Sequence, residues 1–387
     1  MIDLSLYTNP PTKETLQDYP KIMEVIEQIA TEEESSMRTL MPLSLTNPIM
    51  PSWFYHLKSV GHFQLIYDNE IQMPLLMPTG KQGFVLYRGE NNFHNECLPV
   101  LWREKKLPKR HKNTIVSYLQ TAEMILAMWK HPIVKEITER PIHINNSKGG
   151  FDVHIPIQYD GLAQHYGIQT RYMDFTTNKW AAAFFAATKY INGKYVPYTI
   201  KEDDKIDNKY GIIYLLKIPT AACNSLVSEY GILPIGQQYF NRPGCQSALV
   251  MDMEKYKDLN KCKFAQRIFF RHKNDINEMI YTLCQCGSQF FPHDSLQKVV
   301  DTITKRADLK FSKVVVELVR KIYYPKDDIN SLCKMILDLG IEIVDTDLIA
   351  SFDSKDIKKD VELWEHGGRN RYLDKIHVMD LISLPNI

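Results

Sequence analysis

The sequence contains no apolar run approaching the roughly 18 residues that a membrane-spanning helix needs. Its first twenty residues, MIDLSLYTNPPTKETLQDYP, lack the basic stretch followed by an apolar one that marks a secretory leader. Charge of one sign is missing as well: 47 basic against 46 acidic side chains leave a formal net charge of +1, so no whole-chain field draws the protein to nucleic acid or anionic lipid. Cysteine is sparse and odd in number, seven in 387 residues, which excludes a fully paired disulfide framework and favours a reducing compartment. The close pair Cys284 and Cys286 has no second Cys or His pair at zinc-ligand spacing, and His293 stands alone further on, so both cysteines read as packing residues and no metal is expected. Internal repeats and low-complexity tracts are absent. Together these absences predict a cytoplasmic, folded protein with no membrane partner.

What is present is the makings of a large core: 44% hydrophobic and 24% charged residues over 387 positions allow one sizeable domain with smaller appendages. Residues 12–38 place Leu16, Tyr19, Ile22, Val25, Ile26 and Ile29 at helical spacing, and the Pro- and Ser-rich residues 40–53 read as a connector. Residues 1–60 are therefore expected as a helical lead-in. Residues 62–71 and 83–89 suit strands. Residues 114–139 predict one long helix, ended or kinked by Pro132. A turn-rich approach over 151–167 leads to residues 178–191, apolar nearly all round and so a buried helix. Residues 211–218 and 247–251 read as strands, the first a continuous apolar run typical of a central one. Beyond about residue 305 the pattern is helical, clearest over 313–323 and 327–339. The domain expectation is 61–306 for the main unit and 307–387 for a mainly helical appendage, either helical end being a candidate for docking a protein partner. A local basic run, Arg103, Lys105, Lys106, Lys109, Arg110 and Lys112 against Glu104 alone, reads as a solvated loop ahead of a helix or, less commonly, as a nucleic-acid contact.

Three stretches carry chemistry. Tyr87-Arg88-Gly89-Glu90 closes a predicted strand, and an Arg beside a Gly there suits a phosphate or carboxylate: guanidinium is a planar fork of donors and Gly lets a ligand approach the backbone. The bland alternative is a surface ion pair between Arg88 and Glu90. The second stretch runs from Gln164 to Asn178 and packs Gln164, His165, Tyr166, Arg171, Asp174, Thr176, Thr177 and Asn178 just before the buried helix. That density of polar groups beside a core is expensive unless each finds a partner. Thr176, Thr177 and Asn178 sit where helix caps belong, and a helix amino end favours a diphosphate; capping leaves Gln164, His165 and Arg171 unexplained. The third is Arg242-Pro243-Gly244-Cys245-Gln246, where the Gln246 amide either meets a ligand hydroxyl or bonds the loop backbone.

Taken together, YRG, then QHYG-x-x-TR-x-x-D-x-T-x-N before an Ala- and Phe-rich helix, then R-P-x-x-Q opening a strand, and finally Phe291-Pro292-His293-Asp294, the chain resembles FRG-domain proteins over roughly residues 62–306. That family in turn resembles the ADP-ribosyltransferase fold. The resemblance implies an α+β architecture with a split antiparallel sheet holding nicotinamide adenine dinucleotide (NAD) in its cleft. On it Arg88 would hold the phosphates or adenosine ribose, with Tyr87, Gly89, Gln164, Tyr166, Arg171, Asp174, Thr177 and Asn178 around the cofactor. Thr176 would shape the nicotinamide pocket, and Gln246 would bond the nicotinamide ribose. Tyr87, Tyr166 or Tyr172 would stack on nicotinamide. The implied reaction loses nicotinamide through an oxocarbenium-like transition state, which asks for positioning and charge stabilisation more than for a nucleophile. Position 246 departs from the Glu of that fold, because Gln neither takes a proton nor offsets positive charge. Either Asp174 or Glu254 supplies the acid, or the domain binds a nucleotide without turning it over. His165 is the candidate general base or else a satisfied structural histidine. The expected activity is transfer of ADP-ribose from NAD to a protein or nucleic acid, by family analogy as a toxin or antiviral-defence effector. The alternatives are a non-catalytic module for a nucleotide, nucleic acid or protein partner, and an NAD glycohydrolase.

Overall fold

The computed structural model describes residues 2–32, 63–68, 73–78, 85–146, 149–153, 157–218, 226–235, 238–292, 294–368 and 376–378. The connector expected over 40–53 and His293 lie outside them. No helix among the described residues is long and apolar enough to cross a membrane.

The chain is mixed α+β, and its centre is a six-stranded antiparallel sheet. Its strands are β1 (Val85–Glu90), β2 (Tyr172–Thr176), β3 (Tyr210–Lys217), β4 (Ile232–Pro234), β5 (Ala248–Asp252) and β6 (Ala265–Arg271), in the spatial order β4-β5-β2-β1-β3-β6. β3 reads YGIIYLLK and is buried along all but its last residue, as a strand covered on both faces must be. Its partners β1 and β6 run alongside it for six and seven residue pairs, and β2 pairs with β5 over five. The two halves of the sheet meet at one pair, Tyr87 with Thr176.

Side-chain alternation sends Leu86, Met173, Phe175, Ile212, Tyr214, Leu249 and Phe269 into one core, and Tyr87, Ile213, Leu215, Ile268 and Phe270 into another. The second core is covered by α4 (Lys179–Ala187), whose alanines bring its backbone close to β1. A third core lies between α1 (Leu107–Trp129), α3 (Tyr159–Tyr166) and α6 (Ser295–Thr304); a fourth packs the other face of α1 on α7 (Lys313–Tyr323) and α8 (Ile329–Asp338). Residues beyond 306 thus share a core with a helix of the main unit. Glu123 on α1, fully buried, is bound there by Arg306 at 2.6 and 3.1 Å and by the Ala350 N–H at 2.8 Å.

Several elements differ from the sequence expectation. The helix expected over 12–38 is α-helical at 22–32 and a single 3-10 turn at Leu16–Asp18 within the described residues; Pro20 and the Thr12–Thr15 hydroxyl turn separate the earlier part from the α-helix. The helix expected over 114–139 begins at Leu107 and is broken before Pro132, which opens α2 (Pro132–Glu139), so much of the basic run lies in the first turns of α1. The turn-rich approach contains a strand, Gly149–Val153, and α3. The helix expected to reach residue 191 ends at Ala187, where Thr188 Oγ1 donates to the Phe184 carbonyl at 2.7 Å; a hairpin follows, Thr188–Ile191 with Lys194–Pro197. Cys284 is buried as expected of a packing residue, but Cys286 is exposed in a left-handed turn.

The far end of β1 is fastened by a buried network. The Asn91 carbonyl can only accept, so His272 Nε2 donates to it at 2.7 Å. Nδ1 then accepts from Asn277 Nδ2 at 3.1 Å, and Asn277 also donates to the Tyr198 carbonyl at 2.7 Å. Burial pushes the His272 imidazole down to about 4. A histidine depressed in the folded state contributes stability that is complete above its unfolded value near 6.5 and is lost as pH falls toward 4. The expected loss across that window is on the order of 3 kcal/mol. Urea unfolding midpoints of the wild type and His272→Gln, compared from pH 7 to 4, measure it: the variant should start lower and fall less, and parallel curves would count against a neutral His272.

Candidate functional site

α3 ends at Gly167, whose φ of +100° is a left-handed cap that L side chains rarely adopt. This stop leaves Gln164 and His165 on the last turn, facing β2. The Gln164 amide is oriented by Thr170: its Oε1 accepts from the Thr170 N–H at 3.3 Å and from Oγ1 at 2.7 Å. Its Nε2 therefore donates to Asp174 Oδ2, at 3.2 Å. Because Met173 and Phe175 enter the first core, Asp174 and Thr176 project from the opposite side of β2. Thr176 Oγ1 donates to the Gln246 carbonyl at 2.5 Å and accepts from the Asn178 N–H at 2.8 Å; Asn178 caps α4 through Trp180 N at 3.0 Å.

His165 stands between two partners. Nδ1 lies 3.0 Å from Gln246 Oε1, and Nε2 lies 3.4 Å from Asp174 Oδ1. Burial pushes its imidazole below the usual histidine range; Asp174 and Gln246 oppose this and Arg242 adds to it. Arg242 donates to the His165 carbonyl at 3.0 Å and lies over the rings of Tyr166 at 4.6 Å and Phe291 at 5.4 Å. Tyr166 in turn donates its hydroxyl to Asp294, which caps α6.

Arg88 fills the seam between the two halves of the sheet. Its Nε and Nη2 donate to Glu90 Oε1 at 2.9 and 2.7 Å, and its Nη1 donates to the Asp174 carbonyl at 3.0 Å. The ion pair with Glu90 is real but largely withdrawn from solvent, not the surface pair the sequence allowed. Beneath it the Cys97 thiol donates to Glu90 Oε1 at 3.5 Å, and burial together with Glu90 pushes that thiol up to about 12, so it is not a nucleophile. Gly89 is required by packing: a Cβ there would lie 1.9 Å from the Ala182 carbonyl oxygen of α4.

Arg88, Gln164, His165, Asp174, Thr176 and Gln246 are thus linked by direct contacts, and Thr177 and Asn178 adjoin them. Four expectations need correction. Arg171 is bound by Asp252, Nε at 3.0 and 3.1 Å and Nη2 at 2.9 Å, at the other end of β2. Tyr87 and Tyr166 are core residues and Tyr172 is buried, so none of the three presents a ring for stacking. Gln246 has both ends of its amide engaged inside the protein, Nε2 donating to the Phe290 carbonyl at 3.0 Å. Glu254 is exposed and paired with Lys257. Sequence reasoning offered Glu90 only as a surface partner of Arg88, and it missed Thr170, Arg242 and Asp294 as members of the cluster, although all three lie inside the quoted motifs. Tyr195, which stacks on Phe291 at 4.8 Å and whose hydroxyl feels Asp174, Arg242 and Arg88, carried no signal.

Seven buried polar side-chain atoms among the described residues lack a hydrogen-bond partner, and five of them belong here: Glu90 Oε2, His165 Nε2, Asp174 Oδ1, Thr177 Oγ1 and Arg242 Nε. Unsatisfied buried groups cost about 1–3 kcal/mol each, so their gathering at one place marks a site kept for something other than stability.

Sheet and helices define an α+β domain with a polar centre at the midline of its sheet. Residues 84–194 match the FRG domain model, and the chain carries an FRG domain there. The matched residues begin at β1 and end within the hairpin after α4, so Arg242 and Gln246 complete the site from beyond them. Comparisons with curated proteins and with solved structures return no match.

Proposed function

We propose that the FRG domain binds NAD and transfers its ADP-ribose group to a macromolecule, with Asp174 supplying the carboxylate that Gln246 cannot. The observation that carries this reading is the placement of Asp174. Oδ2 is held by Gln164, Oδ1 faces His165, the backbone carbonyl holds Arg88, and the side chain is still 39% exposed. A fixed carboxylate open on one side suits a ribosyl cation forming as the bond from C1′ to the nicotinamide nitrogen breaks. The amino end of α4 beside Thr177 offers the positive dipole end for a diphosphate. Arg88 acts from the seam, using two donors on Glu90 and one on the Asp174 carbonyl. Cys97, Cys262, Cys284, Cys286 and Cys333 are free thiols, which supports a reducing compartment such as the cytoplasm. Modification of a macromolecule at the cost of NAD fits a toxin or defence effector.

The test is incubation of the full chain with NAD labelled in its adenylate half and mixed protein, DNA and RNA. Wild type should label one class of macromolecule. Asp174→Asn should lose label transfer by about 10²–10³-fold, the scale of one electrostatic group aimed at developing charge, while still binding NAD. Glu254→Gln should transfer normally. Equal transfer by Asp174→Asn would overturn the assignment, and NAD bound but left intact by wild type would point to a non-catalytic module.

A further inference from the structure

The Phe290 carbonyl can only accept, so the atom of Gln246 that faces it must be Nε2. That assignment leaves Oε1 opposite His165 Nδ1, and an amide oxygen also only accepts, so Nδ1 carries the proton. A neutral imidazole protonated at Nδ1 has its lone pair on Nε2. Nε2 lies 3.4 Å from Asp174 Oδ1, and neither atom has a hydrogen-bond partner. The His165 side chain is 4% exposed and that of Asp174 is 39% exposed. The charged groups around the ring are Asp174 from β2 and Arg242, whose guanidinium holds the His165 carbonyl.

We infer that Gln246 is a positioning residue that fixes His165 as the Nδ1–H tautomer, and that Asp174 and His165 form a two-step proton relay ending at Nε2. The relay's use rests on the transfer reading above, whereas the tautomer stands on the Gln246 contacts, which place a proton on Nδ1, together with the burial that favours a neutral ring. In the reaction, the acceptor's lone pair forms the bond to C1′, and the bond from C1′ to nicotinamide breaks with its electrons leaving on nicotinamide. The acceptor's O–H or N–H proton goes to Asp174 Oδ2, the oxygen on the open side, and a turn of the protonated carboxyl away from Gln164 presents it to Nε2. Asp174 is a carboxylate again at the end, now beside an imidazolium, and the buried lone pair is filled.

The relay also gives a reason for Gln at a position where the related fold implied by resemblance carries Glu. A carboxylate at 246 would accept from Nδ1–H but could not donate to the Phe290 carbonyl. It would set a negative charge against that oxygen and favour a permanently protonated ring.

Long-range 1H–15N spectra of the full chain labelled in histidine, with His165 assigned by difference from His165→Gln, read the tautomer directly. At pH 7 the wild type should show a protonated Nδ1 and a bare Nε2. A proton on Nε2 would overturn the inference. In Gln246→Met the ring should switch to Nε2–H, now donating to Asp174, with transfer down by about 10²-fold, the low end for a lost general base; an unchanged tautomer would show that Gln246 does not set it. Gln246→Glu should transfer less than wild type and show a doubly protonated ring; transfer equal to or above wild type would instead make position 246 a ribose-binding residue. The expected wild-type spectrum with no transfer of label would leave Gln246's role standing and remove the transfer reading.

Discussion

Gly89→Ala should fail to accumulate as a folded protein. The added Cβ would lie 1.9 Å from the Ala182 carbonyl oxygen, 2.8 Å from its carbon and 2.9 Å from Ala186 Cβ. Two of these are backbone atoms of α4, so no rotamer change relieves the conflict. Helix and strand must separate along the face where Ala182, Ala183, Ala186 and Tyr87 pack in one core. Overpacking a core ordinarily costs about 1–3 kcal/mol because flexible side chains yield. A backbone collision belongs with the exceptional cases above roughly 4–5 kcal/mol, a large share of the 5–15 kcal/mol typical of a domain. Soluble yield and the denaturant midpoint measure it, and a midpoint at the wild-type value would mean that α4 does not sit against β1 at this distance. The Gly of the Tyr-Arg-Gly triplet is therefore a packing requirement that also sets where Arg88 emerges.

Arg306→Met should cost about 3–5 kcal/mol, because it leaves Glu123 as a buried charge with only the Ala350 N–H for compensation. Replacing both partners, as Glu123→Leu with Arg306→Met, should recover most of that loss, since the uncompensated carboxylate rather than the missing attraction is the expensive element. A double-mutant cycle on denaturant unfolding separates the two effects. If the single Arg306 variant were no less stable than the double, Glu123 would not be the anchor that joins α1 to the segment from Arg306 to Ala350. Because that anchor lies between the main unit and the C-terminal helices, both variants should also show whether the two unfold in one transition.

Where burial decides the pattern, the fold was legible. The continuous run in β3 and the helix at Lys313–Tyr323 follow from hydrophobic periodicity alone, and the observed helix keeps the expected bounds. Periodicity did not show where α4 stops, since Thr188 remains apolar enough to continue the pattern. The relevant signal was Asn192-Gly193, whose positive φ angles of 49° and 83° make a tight hairpin turn. β6 was missed because Gln266 and Arg267 interrupt its apolar run, while Ile268, Phe269 and Phe270 carry its burial. At the site, residue types were a good guide to which stretches meet and a poor guide to what each side chain touches. Aromatic residues inside the motif went to the core, which is the ordinary fate of a ring next to a buried helix. Gln246 turned inward because its two complementary ends matched a carbonyl and an imidazole, a pairing that exists only after folding. Arg242 and Glu90 carry the local electrostatics, and nothing in their spacing distinguishes them from surface charges.

A sheet closed along its midline by one residue pair and one guanidinium has its line of least mechanical resistance where its polar atoms are densest. Strands on either side are locked to their own neighbours by long ladders, so an applied strain is relieved at that line before it disturbs either half. A molecule that competes for Arg88 would therefore act on the relative setting of two rigid leaves as well as on a single side chain.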